Sequence, residues 1–183
     1  MKVFNAHHTA DFNEEVKMLE RLRHPNVVTF YGAVTQNAEH LAIVMELCLG
    51  SVFDYLRRWG RATLDDKPLA RLGLAVRLRY AHDAAKGVSF LHTRGVIHRD
   101  LKTSNMLISN NAQRTVKICD FAVSRKVHPS LVEGSGKASV QGSSDSDGDD
   151  SPEAGTPGWI SPEEILGESV TIKSDVYSFA MIL

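Results

Sequence analysis

Apolar positions recur along the chain with two periods, and the changes of period mark its elements. Phe12, Val16, Leu19 and Leu22 fall at helical spacing and predict an amphipathic helix over 11–22. Thr9 and Asp11 are candidate caps, and acids crowd the first turn, where the helix dipole favours them. His24-Pro25-Asn26 stops that helix, because proline disfavours helix at the residue before it. Residues 27–31 then read as a β-rich strand, 36–39 as a turn and 41–45 as a buried strand, and residues 2–4 read as the tail of another strand. Ser51 predicts the N-cap of a helix, and 61–73 form an irregular, mixed-charge connection. A strong helix follows over 74–92, with Leu74, Leu78, Ala81, Ala85, Val88 and Leu91 on one stripe and Gly95 closing it. Two apolar runs, 95–97 and 106–108, bracket a short polar stretch, and 116–118 give a further strand. Residues 142–152 contain no apolar side chain, so the segment 134–151 buries too little surface to offset its ordering entropy and is expected to lack helix and strand.

Composition narrows the class of protein. A chain of 183 residues with 43% hydrophobic and 23% charged positions is long enough for a real core. The formal net charge of −1 gives no broad basic field of the kind nucleic acid requires. Cys48 and Cys119 are the two cysteines; without a secretory h-region at the N-terminus they suggest a reducing compartment rather than a disulfide framework. No apolar run approaches the ~20 residues of a membrane span. The expectation is a cytoplasmic protein with no membrane span and no nucleic-acid partner; its oligomeric state is not readable.

The chemistry sits in the polar stretch His98-Arg99-Asp100-Leu101-Lys102-Thr103-Ser104-Asn105, an acid, a base, two hydroxyls and an amide held between apolar runs. It resembles the H-R-D-L-x-x-x-N catalytic loop of protein kinases, with every fixed position filled. Val116-Lys117-Ile118-Cys119-Asp120-Phe121-Ala122 resembles the family's metal-binding strand end, with Ala122 where glycine is usual. Gly155-Thr156-Pro157-Gly158-Trp159-Ile160-Ser161-Pro162-Glu163 resembles the end of an activation segment, and Glu15 to Asn26 resembles helix C of the tyrosine-kinase-like group and the turn after it. Ser174 to Phe179 matches the start of the central helix of the large lobe, where Asp175 would anchor the backbone of the catalytic loop.

The resemblance implies an α+β, two-lobed protein-kinase-like fold, seen in part: 1–47 from the small lobe and 48–183 from the large lobe, with an activation segment over 120–163 that contains the acidic insertion 134–151. It implies ATP and Mg²⁺ as cofactors and protein serine or threonine as substrate. Asp100 would orient the substrate hydroxyl, Lys102 would stabilise the transferring phosphoryl group, and Thr156 would hydrogen-bond near both. Asn105 and Asp120 would hold the metal. Lys2, paired with Glu15, would grip the nucleotide phosphates, and Met45, Glu46, Cys48 and Leu107 belong to the ATP-binding set. Phe121 would pack under helix C. Arg99 is expected to pair with a regulatory phosphate carried on Ser151, with an upstream kinase as partner. The alternative is a pseudokinase or kinase fragment that binds without turnover, which Ala122 and the absence of a Gly-rich loop before Lys2 favour. On the same reading, the chain made alone is expected to be a poor catalyst.

Overall fold

Residues 2–4, 30–34 and 41–45 meet in one antiparallel sheet, as their apolar and β-branched content dictates. In a computed structural model, which describes residues 1–4, 9–35, 41–60, 73–126 and 156–183, β1 (Lys2–Phe4) and β2 (Phe30–Val34) flank β3 (Leu41–Met45). The acidic stretch 134–151, Ser151, the turn at 36–39 and the connection at 61–72 lie outside the described residues. Packing groups the structure into two units, Met1–Gly87 with Thr103–Ala122, and Val88–Lys102 with Val123–Leu183. The first unit joins residues on both sides of the expected 47/48 boundary, because the backbone of Asn26 and Val28 is hydrogen-bonded to Ile118; within it β4 (Cys48–Ser51) pairs with β6 (Met106–Ser109).

In the first unit, helix α1 runs Thr9–Leu19 and buries Phe12, Glu15, Met18 and Leu19. The buried acid turns the helix from the stripe expected on spacing alone, and Val16 is only half-buried. The strand expected at 27–31 begins three residues later. Val28 N–H donates to the Ile118 carbonyl (2.9 Å) and Ile118 N–H to the Asn26 carbonyl (2.9 Å), so this backbone is bound to β7 (Val116–Ile118) before β2 starts. The Asn26 side chain also donates to the Val116 carbonyl at 2.9 Å. A second sheet has the order β4-β6-β7. Helix α2 (Val52–Gly60) starts as expected at Ser51, whose hydroxyl accepts from Asp54 N–H at 3.0 Å.

Helix α3 (Leu74–Thr93) matches its predicted extent but only part of its predicted face: Val88 and Leu91 turn inward as expected and the earlier stripe residues do not. Tyr80, Ala84, Val88 and Leu91 are buried, whereas Leu74, Leu78 and Ala85 are exposed. Gly87 contributes to the rotation: a Cβ there would stand 2.5 Å from the Asn26 carbonyl oxygen and 2.8 Å from Ile118 Cγ1, so the helix lies against backbone on its glycine side.

The second unit holds the strand pair β5 (Val96–Ile97) and β8 (Arg125–Lys126), and helices α4 (Pro162–Ile165) and α5 (Ile172–Ala180). Proline at its first position starts α4. Thr171 caps α5: its hydroxyl accepts from Lys173 N–H (3.2 Å) and its own N–H donates to the Ser174 hydroxyl (3.3 Å). Among the described residues no helix is long and apolar enough to cross a membrane.

Candidate active site

The polar stretch after β5 is shaped by one buried acid. Asp175, fully buried on α5, accepts from His98 N–H (2.9 Å) and Arg99 N–H (2.9 Å), and His92 Nε2 lies 2.8 Å from it. These bonds hold Arg99 at φ 69°, a left-handed conformation that a non-glycine residue adopts only where its surroundings fix it. The anchoring role expected for Asp175 is the geometry observed; His92 carried no signal beyond a basic residue in a last helical turn.

The bend presents Asp100 to two donors at once. Lys102 Nζ stands 2.6 Å from Asp100 Oδ2, Thr156 Oγ1 donates to Asp100 Oδ1 at 2.7 Å, and Lys102 Nζ donates to Thr156 Oγ1 at 2.6 Å. An acid, a cation and a hydroxyl from positions 100, 102 and 156 therefore form a closed, half-buried ring. A carboxylate locked by two donors has few orientations left, which suits it to present an oxygen to a third donor, an incoming hydroxyl.

In the first unit a second cluster forms around Lys2. Its ammonium lies 2.6 Å from Glu15 Oε2 and 2.8 Å from Asp120 Oδ1, and 5.0 Å from the centre of the Phe4 ring. Phe4 meets Phe12 edge-on, which ties β1 to α1 and sets the reach of Lys2 to Glu15. Burial pulls the Lys2 pKa down, but the Asp120 and Glu15 carboxylates outweigh it and hold the ammonium above its ordinary value. Burial pushes the Glu15 carboxyl up, with Lys2 opposing. Asp120 sits at φ 68°, a region aspartate tolerates better than most residues, and Phe121 behind it is buried. Ala122 is not among the described non-glycine residues with positive φ, so alanine is accommodated where glycine was expected.

Asn105, buried at the end of the 3₁₀ turn Thr103–Asn105, receives Cys119 N–H on its carbonyl at 3.0 Å. Residue 105 and the residue before Asp120 are thus backbone neighbours. An amide oxygen and a carboxylate are two hard donors, the set Mg²⁺ takes when phosphate and water complete its shell, and the Asp120 side chain is 40% exposed. These residues fit that cation.

Met45, Glu46, Cys48 and Leu107 are all half-buried, with Met45 at the end of β3 and Leu107 on β6 opposite Lys117. Glu46 has a role that spacing did not reveal. Lys117 Nζ is 2.8 Å from its Oε1, Thr29 N–H donates to the same oxygen at 2.6 Å, and Glu46 N–H donates to the Thr29 carbonyl at 2.9 Å. Burial raises the Cys48 thiol and, far more strongly, that of Cys119, so neither is a ready thiolate. Glu163 accepts from the Ser174 hydroxyl at 2.7 Å. Arg99 donates through Nε (3.1 Å) and Nη2 (2.9 Å) to Glu164 Oε1, a residue that the sequence reading passed over. Its only signal was a second acid directly after Glu163.

Together these elements and side chains are those of a protein kinase catalytic domain. The family model for protein tyrosine and serine/threonine kinases matches residues 1–183, and the chain belongs to that family. It is 42% identical over 184 residues to the serine/threonine-protein kinase CTR1 of Arabidopsis thaliana, covering 98% of this chain and 19% of that protein. It is 39% identical over 175 residues to the dual specificity protein kinase shkA of Dictyostelium discoideum (94% and 29%), and 37% identical to the probable serine/threonine-protein kinase SIS8 of Arabidopsis thaliana (94% and 14%). The chain therefore spans less than a third of the length of each of these relatives.

Proposed function

We propose that the chain transfers the γ-phosphoryl group of ATP to serine or threonine hydroxyls of a protein substrate. The observation that carries this reading is the closed ring of Asp100, Lys102 and Thr156. Asp100 accepts the hydrogen bond of the incoming hydroxyl and takes its proton as the new oxygen–phosphorus bond forms and the bond to the ADP oxygen breaks. Lys102 carries charge that develops on the transferring group, and Thr156 keeps the acid and the lysine aligned. Lys2, braced by Glu15, holds the nucleotide phosphates. Asn105 and Asp120 hold Mg²⁺, which when bound neutralises phosphate charge. Met45, Glu46, Cys48 and Leu107 serve the adenine side.

The test is transfer of labelled phosphate from ATP to a generic protein substrate, followed by phosphoamino-acid analysis. Asp100→Asn should lower the rate by about 10²–10⁴, the usual worth of a positioned general base. Label on serine and threonine is expected; label chiefly on tyrosine would overturn the substrate class. A folded wild-type chain without transfer would assign the alternative, a binding module without turnover.

A further inference from the structure

Arg99 is the side chain the sequence marks for a phosphate, yet its guanidinium is already held by Glu164. We propose that Glu164 is a built-in counter-anion of Arg99, a positioning residue that fills the place of an added phosphate and lets the catalytic loop hold its active geometry without one. The kinetic half of this proposal rests on the kinase reading above; its anion-binding half does not.

Three observations carry it. First, the contact has the form of anion recognition: Nε and Nη2, two adjacent donors of one guanidinium, converge on Glu164 Oε1 at 3.1 and 2.9 Å. The same pair of donors is what arginine offers to a phosphate, so a phosphate oxygen approaching this edge of the guanidinium would have to displace the carboxylate. Second, the pair is withdrawn from water, with side-chain exposures of 16% for Arg99 and 7% for Glu164. A charge so placed needs a partner, and a loop that lacked Glu164 would need another anion. Third, both partners are fixed by backbone. Glu164 N–H donates to the Ser161 carbonyl in the first turn of α4, which is started by Pro162. The Arg99 N–H is bound to Asp175 Oδ1 at 2.9 Å, with its backbone held at φ 69°. The residue bound at both ends directly precedes Asp100, so the contact acts on the catalytic carboxylate through one peptide bond. Burial pushes the Glu164 carboxyl up and Arg99 pulls it back, with Asp175 and Glu163 adding to the upward push. The fold thus keeps a carboxyl at this place against its own acids.

The experiment uses the whole chain, as wild type, Glu164→Ala, Glu164→Gln and the double variant Arg99→Met with Glu164→Ala. Formate and inorganic phosphate are the probes. Both single variants should lose kcat by about ten- to a hundredfold, the range for a displaced catalytic group, with KM for ATP little changed. Millimolar formate should recover the Glu164→Ala variant, which has a carboxylate-sized gap, but not Glu164→Gln or the double variant. Phosphate should leave wild-type kcat unchanged. A Glu164→Gln variant with wild-type kcat, a loss in Glu164→Ala that neither anion recovers, or activation of the wild type by phosphate would each overturn the proposal. If the wild type transfers no phosphate at all, the kinase reading fails on its own, and binding decides the rest. Phosphate binding followed by ³¹P NMR should be gained in Glu164→Ala and lost again in the double variant; equal binding in the two would overturn the pairing. Should Glu164→Ala not fold, Glu164→Gln, which keeps the side chain's shape, still tests the loss of kcat.

Discussion

Lys117 lies on β7 with 9% of its side chain exposed, and Glu46 is the carboxylate 2.8 Å from it. Burial alone would raise the Glu46 pKa, but the bonds from Lys117 and Thr29 outweigh it and hold the carboxyl below its ordinary 4.5. The sign follows from linkage: a depressed carboxyl contributes stability that is present above 4.5 and is lost as pH falls through its folded value. Glu15 runs the other way. Its raised carboxyl favours the fold below 4.5, and that gain is lost as pH rises through the folded value. Comparison with a Glu46→Gln variant isolates the first effect. At neutral pH the variant leaves Lys117 buried without its anion and should be less stable by about 3 kcal/mol. Well below 4.5 the gap should narrow, because the wild type has then lost the same charge. Urea unfolding at both pH values checks this; a gap independent of pH would refute the assignment. At this scale the sequence told which residue types were needed and their order, and Asp100, Asn105 and Asp120 were legible from motif alone. The partners of Glu46 and Arg99 were not, because each contact joins residues tens of positions apart, and no local spacing encodes such a pair.

Elements were legible in kind and less so in facing. Helix α3 shows why: its apolar residues permit more than one stripe, and periodicity cannot choose between them. Gly87 contributes to the choice, because without a Cβ it lets the Asn26 carbonyl approach the inner side of the helix. Gly87→Ala would raise intrinsic helix propensity by roughly 1 kcal/mol, yet it puts a methyl group within 2.5 Å of that carbonyl oxygen. The contact is with backbone, which cannot swing aside as a side-chain tip can. The net effect should be destabilisation by about 1–3 kcal/mol, the usual cost of overpacking. Thermal unfolding should show a lower midpoint for Gly87→Ala, and an unchanged or higher one would remove the glycine contact as a cause of the rotation. The shifted start of β2 has a related origin. Val27 and Val28 have strand-forming side chains, but their backbone is bound to β7, and β2 begins at Phe30.

For the molecule as a whole, nucleotide binding should appear as stability. A ligand that binds only the folded state stabilises it by about 2.7 kcal/mol at a hundred times its dissociation constant. MgATP should therefore raise the unfolding midpoint of the chain, a chelator should weaken the shift, and Lys2→Met should abolish most of it, since that ammonium is bound by Glu15 and Asp120 alone among the described carboxylates. A folded chain with no shift would count against the nucleotide reading. The sequence by itself determined the family, the longer helices, the strands at 2–4, 41–45 and 116–118, and the identity of the acid, lysine and amide in the H-R-D loop, because these are written in contiguous or regularly spaced residues. Tertiary structure alone decided which helix faces turn inward, that His92 joins Asp175 in bracing the loop, that Lys117 and Thr29 hold Glu46, and that Arg99 is held by Glu164. Those outcomes depend on distances between chain segments, and only burial and hydrogen bonding in the folded state select them.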